Sequence, residues 1–596
     1  MRHIGVFVCH CGHNIAGTVD VEAVAEALRD VPGVALATTY EYCCSEPGQK
    51  LICDSVQEQG LDGVVVAACS PAMHETTFRR AVASVGLNSY LCECANIREQ
   101  CSWVHQDDPA QATTKAIAII QTVVEKVKGD QPLDVLALPI TKRALVIGGG
   151  IAGMQASLDI ADAGYPVVLV ERSKRLGGKM AELSGTYLNF DAAPELLAQK
   201  IESVIRHPHI QVLMEAEVEE VSGYVGNFTV QMGRLGTGRL GIGKLVNWEE
   251  KTQSTNLPGN QPTSLPTYPY TDLAVGAIVV ATGYDRYPLT ALPEYGGGET
   301  ADVIDTLAFE DMLAPSSEIR RPSDGKVPKE VVFVQCAGSR DPEHGVPYCS
   351  KICCMVVAKQ ATMYTERVPD GQAYVFYTDI RSAGRGYEEY VDQAMQEHRV
   401  LYVRGKVSRL FLEDGKVMVW GVDTLSGQPI EVAADLVVLA TPMVPSADTA
   451  ELAQRLRVAT DADGFFAEAH PKLRPVESLT AGVYLAGAAQ GPKDIPETVA
   501  QASGAAAKVL ILFSHEEMTQ EPTVAYVVEE LCSACGACVE VCPYDARSIH
   551  PVRNLAIVNA ALCQNCGACV VACPNKASQI FNWKPEQMMA MIDAIV

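Results

Sequence analysis

Residues 143–171 read Arg143-Ala-Leu-Val-Ile-Gly148-Gly-Gly150-Ile-Ala-Gly153, then an apolar-periodic helix, then Val167-Val-Leu-Val-Glu171. This is strand, G-x-G-x-x-G turn, helix, strand, with an acid about twenty residues on, the pattern of a dinucleotide-binding βαβ unit. Gly148 allows the tight turn, Gly150 lets backbone approach a pyrophosphate, and Gly153 lets the helix pack on its strand. The helix N-terminus then faces the phosphates, and Glu171 is placed to bind the ribose. Arg172 and Gly178, just beyond, are counted with the cofactor contacts. The motif by itself does not say which dinucleotide is held.

Two later segments point to FAD. Ala277-Ile-Val-Val-Ala-Thr282-Gly283 resembles the strand and turn that close the FAD domain of two-dinucleotide-fold flavoproteins of the thioredoxin-reductase kind. Gly482-Val-Tyr-Leu-Ala-Gly487, followed by a helix from about Pro496, resembles their second FAD contact. In such proteins the middle of the chain carries a second glycine fingerprint for NAD(P)H. Here the equivalent strand, Glu330-Val-Val-Phe-Val-Gln, runs into Cys336-Ala-Gly-Ser-Arg340 instead, and Cys349, Cys353 and Cys354 follow. A nicotinamide would lack its pyrophosphate cradle, whereas C-x12-C-x3-C-C can ligate an irregular [4Fe–4S] cluster. The alternative is structural cysteine packed as a small hydrophobe.

The chain has 21 cysteines in three groups, 9–101, 336–354 and 532–573, with long cysteine-free stretches between. At 596 residues it is too long for a disulfide-stapled scaffold, so the clustering points to metal centres. The last group is the most specific. Cys532-x2-Cys535-x2-Cys538-x3-Cys542-Pro543 is repeated as Cys563-x2-Cys566-x2-Cys569-x3-Cys573-Pro574. In this bacterial ferredoxin run three cysteines bind one cluster and the fourth binds the other. One cube is thus expected on Cys532, Cys535, Cys538 and Cys573, and a second on Cys563, Cys566, Cys569 and Cys542. A zinc ribbon lacks the third close cysteine.

Residues 1–135 read as alternating strands and helices, with strands ending at Val8-Cys9, Tyr42-Cys43-Cys44, Ala68-Cys69 and Leu91-Cys92. The carboxyl ends of parallel strands share one edge, where ligands bind. These cysteines should converge there, with Cys101 joining from a following loop, to hold a further cluster. Which four are ligands stays open; redox-active thiols and inert core cysteines are the alternatives.

The expected fold class is α/β throughout. Its parts are an N-terminal α/β iron–sulfur domain (1–135), a two-dinucleotide-fold FAD body (140–515), a 2[4Fe–4S] ferredoxin-like domain (520–580) and a helical tail (581–596). No apolar run approaches the ~20 residues of a membrane span, and the opening residues read directly as a strand, so a cytoplasmic chain is expected. A net charge of −25 argues against nucleic acid, whose phosphates demand clustered Lys and Arg.

At this point the chain resembles the heterodisulfide reductase family, in its flavin-bearing HdrA members, over nearly its whole length. The resemblance is carried by Val6-Phe-Val-Cys-His-Cys-Gly12, Val64-Val-Val-Ala-Ala-Cys-Ser-Pro71, Asn96-Ile-Arg-Glu-Gln-Cys-Ser-Trp-Val-His105, Cys336-Ala-Gly-Ser-Arg340, Tyr348-Cys-Ser-Lys-Ile-Cys-Cys354 and the ferredoxin pair. It implies that Cys336, Cys349, Cys353 and Cys354 hold a cluster near the flavin. It implies that Lys359 stands close to the flavin N5, and that Cys9, Cys11, Cys44, Cys69 and Cys101 form the N-terminal cluster region. Many members carry a second ferredoxin module inside the flavin body. Here the corresponding stretch, about 233–270, is rich in Gly, Pro, Ser and Thr, has no cysteine, and reads as a loop.

The function so implied is a catalytic electron-transfer component of a soluble heterodisulfide-reductase-like complex, with FAD and four [4Fe–4S] clusters, splitting or merging electron pairs by bifurcation. Its implied partners are B- and C-like subunits, a hydrogenase, formate dehydrogenase or NADH-oxidising module as donor, ferredoxin, and a second copy of the chain. The alternatives are a redox relay or scaffold without bifurcation, and a stand-alone NAD(P)H oxidoreductase. The missing second glycine fingerprint counts against the last.

Overall fold

The computed structural model describes residues 2–189, 191–234 and 272–595. The loop expected over 233–270 lies, from residue 235 on, outside the described residues. The chain forms two compact units, Met1–Leu138 with Thr519–Val596, and Pro139–Met518. The ferredoxin-like module is therefore grouped with the N-terminal domain rather than standing alone.

In the first unit four parallel strands lie in the order Val34–Tyr40, Ile4–Cys9, Gly63–Ala68, Cys92–Asn96. The two central strands are fully buried, as expected of a parallel sheet covered on both faces. The strand expected to reach Tyr42-Cys43-Cys44 stops at Tyr40, and a second strand departs further. The apolar pair Tyr90-Leu91 does not end a strand but lies in a single 3-10 turn, Ser89–Leu91, where the Asn88 side chain accepts from the Tyr90 N–H at 3.0 Å. The strand begins at Cys92, paired with Val64, so Cys92 sits buried at the amino edge, away from the ligand-binding edge.

The ferredoxin-like part of this unit is built on two small antiparallel ribbons, Ala525–Val527 with Ser578–Ile580 and Arg547–Ile549 with Ala556–Val558. Two one-turn helices, Ala537–Glu540 and Ala568–Val571, are each entered through a left-handed glycine, Gly536 (φ 83°) and Gly567 (φ 78°). The terminal helix Pro585–Asp593 packs on the long helix Pro109–Gly129. Gln587 Nε2 donates to Asp130 Oδ1 at 2.9 Å and to the Lys126 carbonyl at 3.2 Å. Asn582 brackets the Gln131 backbone, accepting from its N–H and donating to its carbonyl. These partners let the two amide side chains Asn582 and Gln587 be buried with their polar groups satisfied, while Met588, Met589 and Ile592 stay exposed.

The second unit contains two parallel five-stranded sheets. The first runs Val483–Leu485, Ala277–Val280, Ala144–Ile147, Val167–Glu171, Ile210–Met214. The second runs Val303–Asp305, Leu436–Leu439, Glu330–Val334, Gln372–Tyr377, Leu401–Arg404. Each is accompanied by a three-stranded antiparallel sheet, and the ribbon Tyr284–Arg286 with Met443–Pro445 links the halves. This is the two-dinucleotide-fold architecture. On the first sheet, helix Ile151–Asp162 packs against helix Ile495–Phe513. The latter starts with a full capping box in which Asp494 accepts from the Glu497 N–H at 2.8 Å.

Candidate flavin cavity and cysteine clusters

A cavity of about 890 Å³ opens beside the glycine turn. Gly148 (φ 110°) is forced to be glycine, because a Cβ there would meet the Ala281 carbonyl oxygen at 2.3 Å. A Cβ on Gly153 would stand 1.8 Å from the Gly148 carbonyl oxygen, so only glycine lets this helix close on its turn. Gly150 and Gly178 face each other on the wall, and a Cβ on Gly178 would lie 3.1 Å from the Gly150 Cα. Glu171 is set by backbone, accepting from the Gly149 and Ser173 N–H groups, both at 2.7 Å. Arg172 is half-exposed and paired with Asp448 at 2.9 Å. Glu171, Arg172, Thr282 and Gly283 all line the cavity; Gly153 and Gly487 do not, although their chain neighbours Ala152 and Ala488 do. The Gly487 N–H donates to Gln501 Oε1 at 2.7 Å. The Thr282 hydroxyl is buried with no hydrogen-bond partner among the described residues. A buried orphan hydroxyl beside a glycine cradle fits a phosphate-bearing dinucleotide that would supply its acceptor.

Lys359 lines the same cavity. Its ammonium donates to the Gly185 carbonyl at 2.8 Å and pairs with Glu310, which the sequence did not single out. Burial pushes Lys359 below its usual value, against the pull of Glu310. Burial raises Glu310, but the Lys359 charge and the bonds from Gln360 and Ser184 outweigh it, leaving the carboxyl below its ordinary range. Glu310 sits beside Asp311 in the short helix Thr306–Met312, where it reads like any solvated glutamate. No sequence pattern distinguishes it.

The mid-chain cysteines come together where the second sheet would carry its glycine turn. Cys336 follows strand Glu330–Val334 with φ 58°, taking the left-handed conformation itself. Cys349 accepts from the Lys351 N–H at 3.2 Å, and Cys354 from the Arg381 N–H at 3.4 Å. Burial and then the neighbouring thiols raise Cys353. Burial, with Cys336 and Cys349 adding to it, pushes Cys354 up to about 11. An ionised sulfur at any one of them would raise its neighbours, as expected of thiols set close together. Cys353 also lines the flavin cavity, and it opens the helix Cys353–Arg367 on which Lys359 stands.

At the carboxyl edge of the N-terminal sheet, Cys9, Cys11, Cys44 and Cys69 gather around Arg98, whose Nη1 donates to Cys11 Sγ at 3.3 Å. Cys43 joins them, its N–H donating to Cys9 Sγ at 3.4 Å. The bond from the Cys43 thiol draws Cys9 down to about 6, and Cys43 is itself pushed up. Cys101 is not brought to this group. Its thiol is buried among core residues and donates to the Ala112 carbonyl at 3.0 Å. Arg98 belongs to no cysteine spacing, and only the fold sets its charge among these thiols.

The ferredoxin-like module encloses two cavities of about 20 Å³ each. One is lined by Cys532, Cys535, Cys538 and Cys573, the other by Cys542, Cys563, Cys566 and Cys569. Each takes three cysteines from one run and the fourth from the other. Among the described residues no three His, Cys, Asp or Glu side chains close round a single ion. A four-iron cube holds its thiolates further apart than one ion does, and the all-sulfur donor sets fit it.

A dinucleotide fold with a glycine cradle, joined to cysteine quartets, defines an FAD-dependent oxidoreductase that also uses iron–sulfur clusters. Residues 144–224 match the FAD dependent oxidoreductase family model, and residues 525–548 and 556–578 match the 4Fe-4S binding domain. The chain is 42% identical to an HdrA protein of Methanopyrus kandleri, the iron-sulfur component of its CoB–CoM heterodisulfide reductase, covering 91% of this chain and 90% of that protein. It is 41% identical to the HdrA component of the H(2):CoB-CoM heterodisulfide,ferredoxin reductase of Methanothermobacter thermautotrophicus, over 99% of this chain and 97% of that one. Among solved structures, Lactococcus lactis thioredoxin reductase is 16% identical with a TM-score of 0.40, covering 63% of this chain and 99% of that one. The chain belongs to the HdrA family of heterodisulfide reductase components. Among the described residues no helix is long and apolar enough to cross a membrane.

Proposed function

We propose that this chain is the electron-sorting component of a cytoplasmic heterodisulfide-reductase-like complex, built with B- and C-like subunits and a second copy of itself. Electron pairs enter from a hydrogenase, a formate dehydrogenase or an NADH-oxidising module by way of the ferredoxin-like cysteines. The chain divides them between acceptors of higher and lower potential, ferredoxin being a candidate for the second. When bound, FAD supplies the exchange between two-electron and one-electron carriers, and four [4Fe–4S] clusters supply the one-electron steps.

The observation that carries this reading is the helix Cys353–Arg367. Its first residue touches both the cysteine quartet and the flavin cavity, and Lys359 reaches the same cavity less than two turns on. Electrons leaving the cavity thus have a thiol ligand in its wall where a nicotinamide site would otherwise lie. The glycine turn admits a pyrophosphate, Glu171 takes the ribose, and Thr282 gives its hydroxyl to the cofactor. Lys359, with Glu310 behind it, holds a positive charge and a proton against the cavity. Cys336, Cys349, Cys353 and Cys354 are the ligands assigned to the neighbouring cluster. Cys9, Cys11, Cys44 and Cys69 are those assigned to the N-terminal one.

The test is the iron, acid-labile sulfide and FAD content of anaerobically purified protein, followed by reductive titration. One FAD with about sixteen irons supports four cubes; about eight would leave only the ferredoxin module. Reduction of the flavin in one two-electron step supports electron sorting. Two separate one-electron steps would make the chain a relay.

A further inference from the structure

The two halves of the ferredoxin-like module are related by sequence, yet they differ at one buried position. Five residues after the last cysteine of the first run stands Arg547; five after that of the second stands Ser578. The two side chains meet, Arg547 donating to the Ser578 hydroxyl. Arg547 is 4% exposed and has no carboxylate partner among the described residues, which is rare for a guanidinium. Its Nη2 also donates to Cys569 Sγ at 3.0 Å. Its Nη1 is buried with no partner among the described residues.

The consequence is lopsided. Arg547 lines the cavity of Cys542, Cys563, Cys566 and Cys569; Ser578 lines that of Cys532, Cys535, Cys538 and Cys573. In the first quartet three sulfurs accept N–H bonds: Cys563 from Ala525 at 3.4 Å, Cys542 from Ala546 at 3.3 Å, and Cys569 from Arg547. In the second, among the described residues, Cys532 alone accepts one, from Ala556 at 3.3 Å. Hydrogen bonds to the sulfurs and nearby positive charge both favour the reduced, more negative cluster. A guanidinium keeps its charge at every accessible pH. Its free Nη1 gives it a further donor for the sulfurs of a bound cluster.

Resting on the ferredoxin-like reading above, we propose that Arg547 makes the two clusters of this module unequal. The one bound by Cys542, Cys563, Cys566 and Cys569 is held at the higher potential and is reduced first. Arg547 is a positioning residue: it touches a ligand and not a substrate. Cys538, the counterpart of Cys569, lies close enough to feel the same charge but receives no bond from it, so its cluster responds less.

The experiment uses full-length protein purified without oxygen, with Arg547→Gln and Arg547→Lys variants. Each is titrated with dithionite while the electron-paramagnetic signals of the reduced clusters are followed. Iron and sulfide are measured on the same samples. Cys566→Ser, read in the same way, marks which step belongs to the favoured cluster. The expected result is unchanged iron, a shift of that step to more negative potential in Arg547→Gln that exceeds the shift of its sister, and substantial recovery in Arg547→Lys. Equal shifts, or none, would overturn the proposal. So would loss of iron from both variants, which would make Arg547 structural. A wild-type chain lacking the two ferredoxin-type steps would sink the cluster assignment itself, and this proposal with it.

Discussion

Lys359 and Glu310, 49 residues apart, form an ion pair at the flavin cavity with side chains only 3% and 1% exposed. Removing one partner strands the other. Glu310→Gln is expected to cost about 3–5 kcal/mol, the range for breaking a buried pair. The double variant Glu310→Gln with Lys359→Met should regain most of that stability in chemical denaturation. It should not regain the wild-type flavin potential, because the positive charge has gone. Full recovery of both would reduce the pair to packing.

Gly153→Val should yield protein without FAD. Its side chain would have to occupy the space of the Gly148 carbonyl oxygen, pushing helix Ile151–Asp162 off its turn. Flavin absorbance near zero in protein that keeps its ferredoxin irons is the expected outcome; normal flavin content would refute the assigned turn.

The cysteine quartets predict a pattern of iron loss. Cys349→Ser should lose about four irons and keep its FAD. Cys69→Ser should likewise lose about four. Cys101→Ser, which exchanges only a hydrogen bond to the Ala112 carbonyl, should lose none. Iron analysis of the three separates a ligand from a core thiol.

Asp130 gives a pH dependence. Burial lifts its carboxyl to about 6, opposed by Lys126, whose ammonium also holds Glu93 at 2.7 Å. The folded value is raised above an unfolded one of ~3.9, so the folded state binds more protons between them. Stability of the contact between helices Pro109–Gly129 and Pro585–Asp593 should therefore be greatest below about pH 4 and decline to about pH 6. Hydrogen exchange of these helices measures it, and Asp130→Asn should flatten the curve in that window. An unchanged slope would place the titration elsewhere.

How much of the fold the sequence makes legible varies by element. The glycine turn and the two C-P runs work through neighbours in the chain, so spacing alone reveals them. The strand expected to end at Leu91-Cys92 begins at Cys92 instead, because Tyr90-Leu91 looks apolar enough for a strand while Asn88 caps it into a turn. The exclusion of Cys101 had no local cue either, since its partner is a carbonyl on the following helix.

What the sequence determined by itself was chemistry carried within a few residues: the dinucleotide turn at Gly148–Gly153, the alternation of strand and helix, and the repeated cysteine runs. What only the tertiary structure decided was which distant groups share a place. It set Glu310 against Lys359, Arg547 against Cys569, and the terminal helix on Lys126 and Asp130. The physical reason is that a buried charge must find its partner through packing, and packing brings together residues that no interval along the chain relates.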